Sequence, residues 1–470
     1  MFKEYEKRIA VGYFIYLVSM FLIIIRIANL MLDPELQSVA NANSRRIVTV
    51  TTQRGTVFDS KMRPITNAEK KYITLITDIP TASVTLCDYF TSQEVKDILN
   101  SIRTNRIPIF TSYKNIVGNG VKSYEFSEHN EKTAKHLIGY TDQSGHGVSG
   151  LEATFDDMLY SGKNATISFS IDGLGNLMKG EEIIYEYDKD IEKSGIALTI
   201  DLEIQNICET AANELKCGAV VILEVETGEI KAAVSRPDFN IFNLADALDN
   251  PDSPLLNRSF QAYNVGSVFK PLVAAAAIEK GKSDTLGFCA GYSEIDGQRF
   301  RCHKTTGHGW LDMAGALKFS CNAYFYNLAI DVGCDKIYKM SEISGFNNAV
   351  SFGYGLGTVK AQIGDKSWLS KSQRALANLA IGQGQLMLSP IGILNLYAAI
   401  AGDGGYYTPS LIKGMVKNNT IVDETPKSEK INLMSKNTAK LLRGYLEGVL
   451  DENGTGAVAK PNTVSAAGKT

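Results

Sequence analysis

An uncharged run near the N-terminus constrains the fold of this chain more than any other sequence feature. Residues 9–25 contain no charged side chain, and beyond Arg26 the apolar character continues to Leu32. Seventeen residues are at the short end for a helix that crosses a bilayer, but the long Arg26 side chain can reach the headgroups and lengthen the span. The sequence therefore predicts a membrane helix over 9–32, preceded by a short tail of residues 1–8.

The charges that flank this run predict its orientation. The run is preceded by three basic residues, Lys3, Lys7 and Arg8, and followed by two acidic residues, Asp33 and Glu35. Because basic residues stay on the cytoplasmic side, we expect a cytoplasmic N-terminus, a single pass through the cell membrane and an extracytoplasmic remainder. A cleaved signal peptide is the alternative, since Ala40-Asn41-Ala42 resembles a cleavage site. In both cases the bulk of the chain lies outside the cytoplasm.

Composition limits the partners and cofactors. The net charge is −3 and no strongly basic stripe occurs, so no nucleic-acid partner is expected. The five histidines lack linear metal-ligand spacing, so we predict no metal site and no cofactor. Seven cysteines at wide, irregular gaps do not form a disulfide framework. Cys289 and Cys302 could pair in an oxidising compartment, although reduced thiols are the simpler interpretation.

Two parts follow the membrane helix. Residues 33–190 are mixed in pattern, and short alternating runs such as 46–51 predict strands. We therefore expect an irregular α+β module there. The pattern changes near Gly195, and the 276 residues from 195 to 470 have the size of one large α/β domain.

The C-terminal domain is predicted to begin with strands and helices in close succession. In chain order we expect a strand over 196–200, a helix over 202–215, a hairpin with strands 218–225 and 230–234, and apolar helices over 271–278 and 390–401. This order of elements is typical of an α/β domain.

Ser267 and Lys270 form the first of three candidate chemical motifs. They lie three positions apart at the start of the apolar helix, so their side chains share one face. The helix dipole favours negative charge on the serine oxygen, and a lysine in a poorly hydrated cleft loses affinity for its proton. The pair therefore predicts a nucleophile activated without histidine. The alternative is a helix-capping serine with a surface lysine; Ser410 and Lys413 have the same spacing and are interpreted as a loop.

Ser320 and Asn322 form the second motif, 53 residues after Ser267. A hydroxyl and an amide two positions apart in a loop can point into one cleft. There the serine can pass a proton to a leaving amine, and the amide can bind a peptide carbonyl. A helix cap is the alternative, which we prefer for the similar Ser435-Lys436-Asn437.

Lys469 and Thr470 form the third motif. They follow residues 463–467, a β-prone run that predicts a strand entering the site. The ammonium group adds positive potential for a substrate carboxylate, and the hydroxyl can bind that carboxylate directly. A phosphate-binding loop would need glycine where Thr463 stands, so we reject that reading.

The three motifs in this order resemble the signature of penicillin-binding proteins and serine β-lactamases. Residues 264–271 resemble the transpeptidase nucleophile segment, and residues 381–386 resemble the Gly-Gln-Gly segment of that family. Residues 54–59 and 150–156 resemble two elements of the class B pedestal. The resemblance extends over nearly the whole chain after the membrane helix, and the sequence is identified as similar to class B penicillin-binding proteins.

The resemblance implies a fold and a reaction. The fold would be a pedestal over 33–190 and a transpeptidase domain over 195–470, with an antiparallel sheet flanked by helices. Ser267 would attack the D-Ala-D-Ala stem peptide of peptidoglycan and Lys270 would take its proton. Ser320 and Asn322 would shuttle a proton and hold the peptide of the acyl donor. Lys469 and Thr470 would bind its terminal carboxylate. β-Lactams would acylate the same serine, and a polytopic glycan polymerase of division, elongation or sporulation would be the protein partner.

One departure from the family pattern affects the expected activity. The sequence stops at Thr470, before the glycine of the third motif and the strand that carries the second oxyanion donor in this family. We therefore expect a C-terminally truncated transpeptidase of weakened activity, because one such donor contributes about 10²–10³ in rate. The alternatives are a non-catalytic scaffold of a wall-synthesis complex, a β-lactam sensor and a secreted β-lactamase.

Overall fold

The computed structural model describes residues 2–36, 38, 44–129, 133–178, 180–241 and 243–470. Helix α1 (Phe2–Met31) contains the predicted span up to Met31. Within its stretch Glu4–Met31, the most apolar window of 18 residues has a mean hydropathy of 2.2, and none of that window is buried against the rest of the chain. By length and composition this helix can cross a membrane. The cleavage-site resemblance at 40–42 lies outside the described residues.

The helices after α1 are short, and most of them belong to the C-terminal half. They are α2 (Ile79–Cys87), α3 (Ser92–Asn105), α4 (Lys135–Ile138), α5 (Gly150–Thr154), α6 (Asp156–Leu159), α7 (Leu202–Ala211), α8 (Leu244–Leu248), α9 (Lys270–Ile278), α10 (Met313–Lys318), α11 (Asn322–Val332), α12 (Cys334–Ile343), α13 (Lys366–Lys371), α14 (Gln373–Ala380), α15 (Pro390–Ala401) and α16 (Lys436–Leu450). Single 3₁₀ turns lie at Ile191–Lys193, Ala212–Glu214, Gly266–Phe269 and Ala457–Ala459.

The strands form small sheets. In chain order they are β1 (Arg45–Arg54), β2 (Thr56–Phe58), β3 (Glu69–Ile76), β4 (Ile109–Ser112), β5 (Val121–Glu128), β6 (Tyr160–Ser170), β7 (Ile184–Glu186), β8 (Gly195–Leu198), β9 (Gly218–Leu223), β10 (Ile230–Arg236), β11 (Gly287–Cys289), β12 (Tyr292–Ile295), β13 (Gln298–Arg301), β14 (Gly309–Leu311), β15 (Ser351–Gly353), β16 (Leu356–Gly357), β17 (Gly405–Tyr407), β18 (Ile412–Lys417), β19 (Thr420–Glu424) and β20 (Lys430–Asn432).

The chain divides into two compact units. The first comprises Met1–Gln53, Asn67–His129 and Gly162–Lys189, and the second comprises Arg54–Thr66, Asn130–Ser161 and Asp190–Thr470. In the first unit the sheets have strand orders β1–β6–β7 and β4–β3–β5, and the predicted strand over 46–51 lies within β1. As limits of domains, 33–190 and 195–470 stay predictions.

Two segments upstream of residue 190 pack within the second unit for identifiable reasons. Strand β2 pairs in parallel with β8 in a four-stranded sheet of order β19–β18–β8–β2. Beside it the buried Arg54 donates to the Glu152 carboxylate at 2.6 and 3.0 Å and to Asp156 at 2.8 Å. A buried guanidinium is stable only when it is paired in this way. The two elements that resemble the class B pedestal therefore meet in one ion-paired cluster.

Helix α9 is the centre of the second unit. Every residue from Lys270 to Ile278 is buried, and the helix packs against α11, α12 and α16. A helix that is apolar on all sides has to be an interior helix, and the run of four alanines at 274–277 lets its neighbours approach closely. The predicted helices over 271–278 and 390–401 are confirmed as parts of α9 and as α15.

The predicted hairpin is also present. Strands β9 and β10 pair antiparallel, with Val221 opposite Ala233, and α7 packs on β10. The elements are shorter than predicted: the strand from Gly218 ends at Leu223, and the helix from Leu202 ends at Ala211 before a 3₁₀ turn. Five of the six residues of β9 are half-buried and one is exposed, and β9 pairs with one strand, β10.

Two local predictions were wrong. Residues 463–467 form no strand, because strand geometry needs a paired neighbour and this run has none in the described part of the chain. Four of its five residues are exposed, and only the following Gly468 bonds to α16, donating its N–H to Leu446 O at 3.1 Å. Lys413 was interpreted as part of a loop but lies in β18, which pairs with β8. In an extended strand, residues three apart point to opposite faces. The second Ser-x-x-Lys spacing therefore cannot bring its serine and lysine together on one face.

Candidate active site

The predicted nucleophile lies in a tight turn at the entrance to α9. Gly266–Phe269 is a 3₁₀ turn, and the backbone N–H of Lys270 donates to the carbonyl of Ser267. Side chains at positions i and i+3 are eclipsed in a 3₁₀ turn. Ser267, which is half-buried, and the fully buried Lys270 therefore stand on the same face.

The Gly-Gln-Gly segment packs directly on this turn. Gly266 N–H donates to Gly382 O at 2.9 Å. A Cβ atom at Gly382 would lie 2.0 Å from the Gly266 carbonyl oxygen, and the φ angle of Gly382 is +73°, so only glycine fits there. The Asn264 amide donates to Leu386 O at 2.7 Å on the same side of the turn. The backbone that presents Ser267 is thus fixed by a second segment.

Lys270 connects the first motif with the second. Its Nζ atom lies 2.7 Å from Ser320 O, 3.1 Å from Ser320 Oγ and 2.7 Å from Asn322 Oδ1. None of the Lys270 surface is exposed, and its three neighbours are the polar groups that such burial requires. Although 50 positions separate them, Lys270 and Ser320 share one polar cluster.

Ser320 adopts a backbone conformation that is uncommon for a residue with a side chain. Its φ angle is +52°, at the junction between α10 and α11. Such conformations cost of the order of 1–3 kcal/mol and concentrate at functional sites. Here the Ser320 hydroxyl contacts two amines: its Oγ atom lies 2.9 Å from Lys469 Nζ and 3.1 Å from Lys270 Nζ.

The two lysines have weakened proton affinities. Burial, together with the charge of Lys469, lowers the pKa of Lys270 from 10.5 to about 7. Burial also lowers the pKa of Lys469, to about 8. Removing an ammonium group from water disfavours its charged form, and a nearby like charge adds to that effect. Near neutral pH, Lys270 is therefore the first of the two to become a neutral amine.

The structure brings the predicted site residues together. Lys270, Ser320, Asn322 and Lys469 form one hydrogen-bonded cluster, and Ser267 lies one turn before Lys270. Thr470 is exposed beside Lys469, and its Oγ1 atom lies 2.7 Å from Thr455 Oγ1.

A cysteine–histidine group adjoins the second motif. Three sulfur atoms and one ring nitrogen lie within 4.8 Å of one another, those of Cys289, Cys302, Cys321 and His308. Three of these contacts measure 3.6, 3.7 and 3.9 Å. In a tetrahedral zinc site with ordinary Zn–S and Zn–N bonds, ligand atoms are about 3.6–3.8 Å apart. All seven cysteines are free thiols in the structure, so the four groups fit a metal ion.

This group was missed from the sequence. Its members are separated by 12, 5 and 12 residues, and no linear metal motif with short Cys-x-x-Cys spacing marks it. Two signals were available: the possible pairing of Cys289 with Cys302, and the place of Cys321 between Ser320 and Asn322 in the second motif. Thr455 was missed as well, because its place near Thr470 depends on how the chain folds back after α16.

A buried lysine lies one turn from Ser267 and shares a hydrogen-bonded cluster with Ser320, Asn322 and a second lysine. Such an arrangement can activate a serine as a nucleophile. Residues 218–470 match the family described as "Penicillin binding protein transpeptidase domain". More than half of the sequence lies in this match, and the chain belongs to that family. Its relatives place it among the class B penicillin-binding proteins.

Curated relatives resemble the chain in sequence, and a solved structure resembles it in fold. Stage V sporulation protein D of Bacillus subtilis is 29% identical over 355 residues, which cover 71% of this chain and 52% of that protein. Peptidoglycan D,D-transpeptidase MrdA of Acinetobacter baumannii is 27% identical over 352 residues, covering 69% and 50%. The D,D-transpeptidase domain of a peptidoglycan glycosyltransferase from Eggerthella lenta aligns with a TM-score of 0.63 at 23% identity, over 89% of this chain and 86% of that one. The chain spans about half the length of the curated relatives it matches.

Proposed function

We propose that this chain is a membrane-anchored D,D-transpeptidase that cross-links peptidoglycan stem peptides through an acyl-enzyme on Ser267. The observation that carries the proposal is the environment of Lys270. This amine is buried, lies one turn from a half-buried serine, and has a pKa lowered to about 7. A general base with a pKa near the working pH is the group that a serine nucleophile needs.

The first half of the reaction forms the acyl-enzyme. Ser267 Oγ forms a bond to the carbonyl carbon of the penultimate D-Ala, and its proton passes to Lys270. The backbone N–H of Ser267 stabilises the oxyanion. The bond to the terminal D-Ala nitrogen then breaks, and that nitrogen takes up the proton. Asn322 holds the peptide of the acyl donor.

Ser320 provides the route for the proton. A neutral Lys270 has two N–H donors and one lone pair. The two donors match Ser320 O and Asn322 Oδ1 as acceptors, at 2.7 Å each, and the lone pair takes the proton of Ser267. Once protonated, Lys270 has a third donor, which lies 3.1 Å from Ser320 Oγ. The charged Lys469 donates to the same hydroxyl. A proton held by Lys270 can therefore leave through Ser320 to the amine of the terminal D-Ala.

Lys469 and Thr470 recognise the carboxylate of the terminal D-Ala. The ammonium group supplies charge and the exposed hydroxyl of Thr470 supplies a hydrogen bond. In the second half of the reaction an amine from another stem peptide attacks the ester carbonyl carbon and loses a proton to Lys270. The bond from that carbon to Ser267 Oγ then breaks, and Ser267 takes up the proton from Lys270. A β-lactam acylates Ser267 in the same way, but its leaving nitrogen stays attached and blocks the site.

The membrane helix implies where this reaction takes place. The basic residues before α1 and the acidic residues after it favour a cytoplasmic N-terminus and an extracytoplasmic active site in the periplasm or wall space. Peptidoglycan strands, β-lactams and membrane lipid are then the partners. By analogy with the family, a polytopic glycan polymerase of the division, elongation or sporulation machinery is the protein partner.

Mass spectrometry of the penicillin-treated protein tests the proposal. We expect one covalent adduct, on the peptide that contains Ser267. Its release should be slow, whereas rapid turnover of the penicillin would favour a β-lactamase. A folded protein that takes up no adduct would favour the scaffold alternative instead.

The pH dependence of acylation should follow the two lysines. Lys270 acts as a base only when it is neutral, so the second-order rate constant should rise with pH up to about 7. Lys469 binds a carboxylate only when it is charged, so the rate constant should fall above about 8. The expected profile is a bell, measured with benzylpenicillin between about pH 5.5 and 9.5. A profile that is flat below pH 7 would contradict the role of Lys270.

We also propose that Cys289, Cys302, His308 and Cys321 bind a zinc ion with a structural role. A metal there would join β11, the segment before β14 and the start of α11. By binding Cys321 it would also fix the position of the adjacent Ser320 and Asn322. A site closed by four protein ligands is typical of structural zinc. No step of the acyl transfer uses it.

Metal analysis tests this assignment. Protein purified from zinc-supplemented cells should contain about one zinc per chain. Cys289→Ser, which changes a ligand away from Ser320, should reduce the content to well under half and lower the Tm. The matched control is Cys87→Ser, at an exposed cysteine in the first unit. Full zinc content in the Cys289→Ser protein would contradict the assignment.

A further inference from the structure

A tight turn after α16 faces the third motif. In Gly454-Thr455-Gly456, a Cβ atom at Gly454 would lie 2.1 Å from Val449 O, so this position requires glycine. Gly456 N–H donates to the same carbonyl at 3.0 Å. The turn is thus held by this hydrogen bond against the C-terminal end of α16. The exposed side chain of Thr455 points from the turn toward the third motif.

Thr455 contacts two parts of the site at once. Its Oγ1 atom lies 2.7 Å from Thr470 Oγ1. Both its backbone N–H and its hydroxyl lie 3.3 Å from Lys318 O, the last carbonyl of α10, two residues before Ser320. One threonine therefore bridges the backbone that leads into the second motif and the hydroxyl of the third.

We propose that Thr455 is a positioning residue for carboxylate recognition and acts through Thr470. The inference rests on the proposed function, because it assigns the ligand of Thr470 as the carboxylate of the acyl donor. Without substrate, the Thr470 hydroxyl donates to Thr455. When a carboxylate arrives, the Thr470 proton turns to it, and Thr455 donates to Thr470 in its place.

The distances favour this exchange. A hydroxyl hydrogen bond has its usual length near 2.7–2.8 Å, and 3.3 Å lies beyond the normal range. The bond from the Thr455 hydroxyl to Lys318 O is therefore weak and is lost at little cost, whereas the 2.7 Å contact with Thr470 is of full strength. In the resulting chain, from Thr455 to Thr470 to carboxylate, the Thr470 hydroxyl both accepts and donates, and such chains strengthen each member. No covalent bond changes.

The test compares two variants and two acylating probes. Thr455→Val keeps the shape of the side chain and removes the hydroxyl, whereas Thr455→Ser keeps the hydroxyl. Benzylpenicillin carries a carboxylate, and its methyl ester does not. With benzylpenicillin, Thr455→Val should lower the second-order acylation constant roughly 3- to 10-fold, the usual effect of one lost hydrogen bond. With the ester, the same variant should stay within about twofold of wild type, and Thr455→Ser should behave as wild type with both probes.

A matched control is Thr210→Val, which removes an exposed hydroxyl that bonds Asn206 O at 2.9 Å on α7. It should leave both probes unaffected. An equal loss with both probes in Thr455→Val would mean a merely structural role and overturn the inference, as would no loss with either. If the wild-type protein reacts with neither probe, the proposed function fails and this inference fails with it. Reaction of the wild type with both probes, without the carboxylate-specific loss, overturns the inference alone.

Discussion

Replacing Ser267 with alanine should abolish the covalent labelling of this protein by fluorescent penicillin, with less than about a thousandth of the wild-type rate remaining. The acyl-enzyme needs an oxygen nucleophile on the face of Lys270, and removing such a nucleophile typically costs about 10⁴–10⁶ in rate. Ser267 is half-buried in its 3₁₀ turn, and the hydrogen bond from Lys270 N–H uses its carbonyl, which alanine retains. The Tm should therefore change little, so that lost labelling reports lost chemistry.

The chain offers a matched control for this variant. Ser410 and Lys413 have the same spacing as Ser267 and Lys270, but Lys413 lies on β18 and donates to Ser60 O at 2.8 Å. Ser410→Ala should label as fast as wild type. Labelling that persists in Ser267→Ala, or an adduct located on another residue, would refute the assignment of the nucleophile.

The contrast between these two motifs indicates how much of the site the sequence could predict. The spacing Ser-x-x-Lys occurs twice, and only the apolar run that follows Lys270 distinguishes the motif at the start of a buried helix. Helical periodicity is a local property, so it could be predicted. The meeting of Lys270 with Ser320 depends on packing between α9 and α11, and it was expected only through the resemblance to a known family.

Other features were beyond sequence reasoning because they are set by contacts distant in the chain. The β-prone run at 463–467 has the composition of a strand, but no described strand pairs with it and four of its five residues are exposed. Residues 54–59 precede Glu152 by about a hundred positions, and their place in the second unit depends on the buried ion pair of Arg54. The cysteine–histidine group is likewise assembled from separate elements. Periodicity and composition carry no information about such pairings.

Replacing Lys270 with methionine should slow the acylation of Ser267 by about 10²–10⁴, the usual contribution of a general base. The effect on stability should be much smaller. Methionine fills a similar volume and needs no hydration, so the gain from removing a buried amine offsets the loss of a donor to Ser320 and Asn322.

The pH dependence of the free energy of unfolding gives a second test of the Lys270 assignment. Because the pKa of Lys270 falls from 10.5 in the unfolded chain to about 7 in the folded one, the wild type loses stability as pH falls through that window.

The Lys270→Met protein lacks this titration, so its Tm relative to wild type should increase as the pH is lowered from about 10 to about 7. Acylation kinetics and thermal unfolding of the same preparations test both parts. Lys413→Met, at the lysine of the second Ser-x-x-Lys spacing, is the control: it should label at the wild-type rate. If Lys270→Met still reacted within about tenfold of wild type, another group would have to be the base, and Lys469, which shares the Ser320 hydroxyl, would be the next to test. If labelling and Tm instead collapsed together, Lys270 would be needed for folding of the site, and its role as the base would lose its support.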